Sequence, residues 1–327
     1  MESIDLTREK EREEETGAPE GGAKKRKKKF SRDDTIFYYA VLAWPILQFI
    51  VFYVLTRVNA VLYSFQTYDV LTNTVTWTFS HVENAFRLMT SELEYTSMMG
   101  ATLKFFVLTV GIGTPLGLLF AYYISKKMFA SGAFRVLLFL PSIISAIVMA
   151  TIYQFFVERA LPEIVYQIFN VRIKGLMENP DTRFGTLVFY NIWVGFGVNV
   201  LMYTNAMSGI SSEVIESARL DGATGIREFW FISLPLIYPT VTTFLITSFA
   251  TLFTNQFNIY SFYGGSVPAG IGTFGYYLFN ATEQASSRAE YSIISAIGLL
   301  LTCIALPLTL FVRWLLNKFD PTEDGAQ

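Results

Sequence analysis

The chain has 327 residues, 52% of them hydrophobic, with 30 Phe, 18 Tyr and a mean hydropathy of +0.39. The apolar residues come in long blocks, which argues against a soluble globule. One Cys and one His exclude an intramolecular disulfide and a His/Cys metal cluster, and a net charge of -2 excludes little because the charges are segregated along the chain.

A span needs about 20 apolar residues to cross roughly 30 Å of hydrocarbon. Six blocks meet that length. The expected fold class is therefore all-α: a polytopic membrane protein with six transmembrane helices over residues 35–318. Residues 1–34 read as a disordered tail, because no apolar periodicity offsets the ordering entropy. The tail carries the basic run Lys24 to Lys29, read as a topology anchor or as a contact with anionic headgroups. Nucleic-acid binding finds no further support in the chain. The first block follows this tail without a small-residue cleavage site, so it is expected to be retained.

The first span is placed near Ile36–Leu55, with Pro45 as a kink. A loop holding His81 leads to the second, near Met98–Ile124, where Gly111, Gly113 and Gly117 offer a small-residue face and Pro115 a bend. Lys104 inside it is expected to snorkel or to find an acid. The third, near Phe134–Phe156, is expected to bend at Pro141. Val157–Arg183 reads as an outer loop. The fourth is near Phe184–Met207, the fifth near Leu236–Tyr260, and a second outer loop covers Ser261–Glu290. The sixth is near Tyr291–Leu316 and holds Cys303, read as a packing residue. Residues 319–327 form a short polar tail.

Polar groups inside spans are costly unless they pair or line a watery cavity. Asn191 and Asn199 lie two helical turns apart on one face of the fourth span. Trp193 and Tyr203 are nearby, and Asn255 and Gln256 end the fifth. Planar amides and aromatic rings suit a sugar pathway, and the same amides suit hydrogen bonds between helices. Both readings stand, with the fourth span favoured for solute contact.

The stretch Ser211–Pro239 is short, polar and charged between two apolar blocks. Ser211 or Ser212 can cap a helix, with Glu213 and Glu216 near its positive end. Ile215, Ala218 and Leu220 are expected near one face. Asp221-Gly222 then breaks the helix, and a second short helix passes through Ile226, Phe229 and Trp230. Lys126, Lys127, Arg135, Arg219, Arg227, Arg313 and Lys318 fall on the same side as this elbow. That bias puts both termini in the cytoplasm.

The residues Glu216-Ser217-Ala218, Asp221-Gly222-Ala223, Phe229, Ile232 and Leu234-Pro235 match a motif of fixed spacing. It resembles the cytoplasmic loop of the membrane subunits of binding-protein-dependent ABC importers. Ser217 departs from the usual Glu-Ala-Ala triplet. Phe257-Asn258-Ile259-Tyr260, Gly264-Gly265 and Pro268 resemble the sugar-type permeases of the maltose, raffinose and glycerol-phosphate class, although Asn258 replaces an acid and Ser266-Val267 interrupts the Gly-Gly-Pro.

The resemblance implies the type I importer permease fold, with a coupling loop over residues 209–235. It implies that Glu216, Ser217, Ala218, Asp221, Gly222, Ala223, Phe229 and Pro235 couple this chain to an ATPase, with Pro235 fixing the junction to the fifth span. The implied partners are a second homologous permease, two ATPase subunits, an extracellular solute-binding protein and the lipid bilayer of a bacterial or archaeal cell. No Gly-x-x-x-x-Gly-Lys-Ser/Thr loop occurs. ATP and Mg are therefore expected on a partner, with no cofactor and no catalytic or metal site on this chain. An importer of a non-sugar solute is the nearest alternative. An ion-coupled transporter is more remote, since no Asp or Glu lies well inside a span.

Overall fold

The computed structural model describes residues 32–69 and 74–321. The basic run and residues 322–327 lie outside the described residues. The chain divides into two compact units, residues 1–57 and 58–327. In the first, α1 (Arg32–Gln48) passes into a π-helical stretch, Phe49–Val54. Pro45 sits inside α1 and removes one backbone donor. Phe37, Trp44, Phe49 and Phe52 are all exposed, an apolar surface suited to hydrocarbon.

Next comes α2 (Leu55–Tyr63). The predicted loop that follows contains a hairpin, β1 (Gln66–Asp69) with β2 (Thr74–Trp77), and α3 (Ser80–Ser91). Four-residue strands add a small β element to a helical fold. The hairpin is tied down at two points. Thr67 Oγ1 lies 2.8 Å from His81 Nε2, and Ser292 Oγ donates to the Gln66 carbonyl at 2.8 Å.

The remaining helices are α4 (Leu93–Ser125), α5 (Ser131–Ile143), α6 (Ala146–Phe155), α7 (Leu161–Phe169) and α8 (Pro180–Ser208). After these come α9 (Ser212–Leu220), α10 (Ile226–Glu228), α11 (Leu234–Leu236) and α12 (Tyr238–Ala250). Last are α13 (Ile259–Tyr263), α14 (Phe274–Gln284) and α15 (Arg288–Lys318). Among the described residues, four helices are long and apolar enough to cross a membrane: Ile36–Tyr63, α4, α8 and α15. Two bent pairs bring the number to as many as six.

The bent pairs revise the third and fifth spans. At 1.5 Å per residue, α5 and α12 each reach only about 20 Å, short of a bilayer. Each is continued by a neighbour across a sharp bend. Ser131–Ile143 and Ala146–Phe169 meet at 105°. That break falls at Ile144-Ser145, whose backbones are extended, and not at Pro141, which stays inside α5. Ile226–Leu236 and Tyr238–Ala250 meet at 68°. Pro235 and Pro239 are the second residues of α11 and α12, so the junction lies at Ile237, two residues past the expected proline. The expected outer loops also contain helix: α7 in the first, and most of α13 and all of α14 in the second.

The core is built on α4 against α8, with α5 crossing α8 and α12 lying along α15. Gly197 permits the α5–α8 crossing: a Cβ there would lie 2.8 Å from Phe139 Cα. Gly113 and Gly117 of the small-residue face do meet α8: a Cβ on them would lie 4.0 Å from Ile192 Cγ2 and 3.6 Å from the Tyr203 ring, while one on Gly111 would face open space. Cys303 is exposed on α15, because the packed face of that helix runs through Ser292, Ala296, Ile297 and Leu301. Lys104 is exposed on α4 and has no ion-pair partner among the described residues.

Candidate functional site

The elbow forms as its residues dictate. Ser211 caps α9, its side chain accepting from the Val214 N–H at 3.4 Å. At the other end, the Gly222 N–H donates to the Arg219 carbonyl at 3.0 Å and the Ala223 N–H to the Ala218 carbonyl at 2.9 Å. These two bonds close a Schellman motif, which needs positive φ at its turning residue. Gly222 supplies it at φ +82°. Ala218 faces inward, whereas Glu216, Ser217 and Asp221 are exposed. Leu220 is corrected: it is 90% exposed, because it stands some 200° around the helix from Ala218. At the end of α9 it makes an apolar tip on a polar elbow, and Val214 and Ile226 are exposed as well.

Three groups bind this tip to the helices behind it. Phe229 is buried among Leu118, Ala121, Tyr203 and Val241. Tyr122 donates its hydroxyl to the Gly225 carbonyl at 2.8 Å, and its ring lies 5.2 Å from that of Phe229, tilted by 59°. Glu228, only 2% exposed, forms an ion pair with Lys126, and its Oε2 lies 3.4 Å from Arg219 Nε. Sequence reasoning passed over Glu228, Tyr122 and Gly225. Two signals were available: an acid wedged between Ile226 and Phe229, and a Tyr and a Lys four residues apart where α4 ends.

The elbow lies where α4 and α8 end and α12 begins. Arg135 donates to Asn205 Oδ1 at 3.2 Å, and Tyr238 to the Leu316 carbonyl at 2.8 Å. The starts of α5 and α12 and the ends of α8 and α15 therefore share this end of the second unit.

Of the six expected pathway residues, Asn191, Asn199 and Tyr203 line one cavity of about 160 Å³ between α4, α8 and α12. Thr109, Thr114 and Ser248 line it too. They were missed because no motif marks them. The volume holds a few waters and is smaller than a usual ligand site. Asn191 is already engaged. Its amide donates to the Leu187 and Phe257 carbonyls at 2.9 and 2.8 Å, and it accepts from Asn258 Nδ2 at 2.8 Å. Asn199 has no such tie among the described residues. Trp193 sits instead beside Tyr153 and Tyr190. Asn255 caps its own turn, accepting from the Phe257 N–H at 2.8 Å. Gln256 stands half-buried in that turn, away from the cavity lining.

Residues 113–324, which include the elbow and the cavity-lining part of α8, match the model for the binding-protein-dependent transport system inner membrane component. The chain belongs to this family. The permease is 22% identical over 84% of its length to the multiple sugar-binding transport system permease protein MsmF of Streptococcus mutans, covering 93% of that protein. It is 27% identical over 86% of its length to the arabinooligosaccharides transport system permease protein AraP of Halalkalibacterium halodurans, covering 88% of it. It is 27% identical over 81% of its length to the sn-glycerol-3-phosphate transport system permease protein UgpA of Brucella abortus, covering 91% of it. In fold it matches a chain of a bacterial ABC transporter that imports alginate, with a TM-score of 0.74 and 22% identity over 88% of this chain and 97% of that one. The expected type I importer fold is thus established, and the permease is a multi-pass membrane protein.

Proposed function

We propose that the permease is one half of the channel of an ATP-driven importer for a carbohydrate, delivered by an extracellular binding protein. The observation that carries this reading is the elbow: a rigidly capped helix with an exposed apolar tip, set at the shared end of the spans. Leu220, Val214 and Ile226 enter a cleft on an ATPase subunit. Glu216, Ser217 and Asp221 face that partner, while Ala218, Gly222, Ala223, Phe229 and Pro235 hold the elbow's shape. ATP and Mg bind to the partner. Both termini lie in the cytoplasm, on the side where Lys126, Arg135, Arg219 and Lys318 cluster. A second permease completes the channel, and Asn199 and Tyr203 form part of its wall. The names of MsmF and AraP favour a sugar as cargo. The name of UgpA favours a second reading, a glycerol-phosphate type of solute.

The test is uptake into vesicles holding the permease, its partner permease, both ATPase subunits and the binding protein. Accumulation should require ATP and the loaded binding protein. Replacing Gly222 by Asp should abolish both uptake and solute-stimulated hydrolysis, because a side chain at φ +82° unwinds the cap. Wild-type rates in that variant, or accumulation without nucleotide, would end the proposal.

A further inference from the structure

The elbow contains a glycine joint. Between α9 and α10 lie Gly222 at φ +82° and Gly225 at φ +59°, and neither Cα has a neighbour within 4 Å of where a Cβ would stand. Neither glycine has a side chain with which to brace α9 against α10. Besides the backbone bonds of the cap, one side-chain tie among the described residues spans the joint. Arg219 on α9 reaches Glu228 on α10, and the same carboxylate holds Lys126 at the foot of α4. Burying a carboxylate is costly unless it is paired, and removing one partner leaves an uncompensated charge. The carboxylate therefore resists any movement that separates the three elements. Its two arms differ in solvation. The Lys126 side chain is 20% exposed and that of Arg219 is 52% exposed. The Lys126 arm is the fixed anchor, and the Arg219 arm is the more readily exchanged with water.

We infer that Glu228 is a positioning residue for coupling: it bridges the glycine joint so that a displacement of α9 reaches α4 directly, and not only α12 through the backbone. This deepens the reading that the elbow meets an ATPase, and it rests on that reading. Lever rigidity, and not partner binding, is what Glu228 controls, because its carboxylate is buried behind the apolar tip.

The experiment uses the full assembly in vesicles and reads ATP hydrolysed per solute accumulated. Co-purification of the ATPase subunits is followed in the same preparations. Glu228→Gln should leave the ATPases bound but raise the ATP consumed per solute about tenfold, the scale of one lost charge-assisted contact. Arg219→Gln should shift the ratio in the same direction, and Arg219→Lys should restore it. If Glu228→Gln fails to assemble, Arg219→Gln decides, since that side chain is half exposed and its loss spares the core. A wild-type ratio in Arg219→Gln overturns the inference, as does loss of ATPase binding in place of loss of coupling. Wild-type complexes that accumulate solute without ATP would overturn the underlying reading as well, a result visible before any variant is made.

Discussion

At Gly197 the two helices α5 and α8 come so close that a single methyl group has nowhere to go. A Cβ would lie 2.6 Å from the Leu138 carbonyl carbon and 2.8 Å from Phe139 Cα. Backbone cannot swing aside as a side chain can. Gly197→Ala should therefore destabilise the permease by roughly 1–3 kcal/mol or more, the scale of overpacking in a close-packed interior. Gly111→Ala, in open space, should not destabilise it. Thermal unfolding of the two variants in one detergent checks the contrast, and equal midpoints would refute it. Both glycines look alike in the sequence, because the partner backbone that distinguishes them comes from another helix. Asn191 makes the same point for polar residues. Its bonds to the Phe257 carbonyl and to Asn258 hold a turn in which both residues have positive φ, 49° and 56°. Asn191→Leu should cost about 1–3 kcal/mol by orphaning buried partners, with little change in solute preference. Asn199→Leu should change the Km for uptake and leave unfolding alone. Paired melting and uptake measurements separate the two roles.

Among the elements, α9 was the most legible. Its cap, its length and its glycine stop are local events set by residues within one or two turns. Loss of the Ser211 cap by Ser211→Ala should cost about 1 kcal/mol, read as a lower unfolding temperature of the assembled complex. Leu220→Asp should act differently: stability should hold while the ATPase subunits no longer co-purify, because a charge would enter an apolar cleft. Retained co-purification would show that the tip is not the docking surface. The bent spans were less legible. Hydropathy reports that a block is apolar over some length, and a straight helix and a broken one score alike. The proline at 141 invited a break that falls at Ile144-Ser145 instead, where the backbone leaves helical geometry. A proline within a helix removes one donor, and neighbouring packing decides whether the chain bends there.

For the whole molecule, the elbow and the shared end of α4, α8, α12 and α15 imply a sidedness that can be measured. With Cys303 replaced by Ser, a Cys at position 220 should react with an impermeant maleimide only in inside-out vesicles. A Cys at position 287, in the Ser that caps α15 at the opposite end, should react only in right-side-out ones. The reverse pattern would invert the topology.

Composition and block length by themselves determined that this chain spans a membrane on helices, and the elbow's motif determined its family. Those features are written in neighbouring residues, so no folding is needed to read them. The tertiary structure decided which polar groups are ties and which face a cavity. It separated the tight glycines from the idle ones, and it brought Lys126, Arg219 and Glu228 together from two regions a hundred residues apart in the chain. A buried charge declares itself only through the partners folded around it, and no local pattern along the chain specifies them.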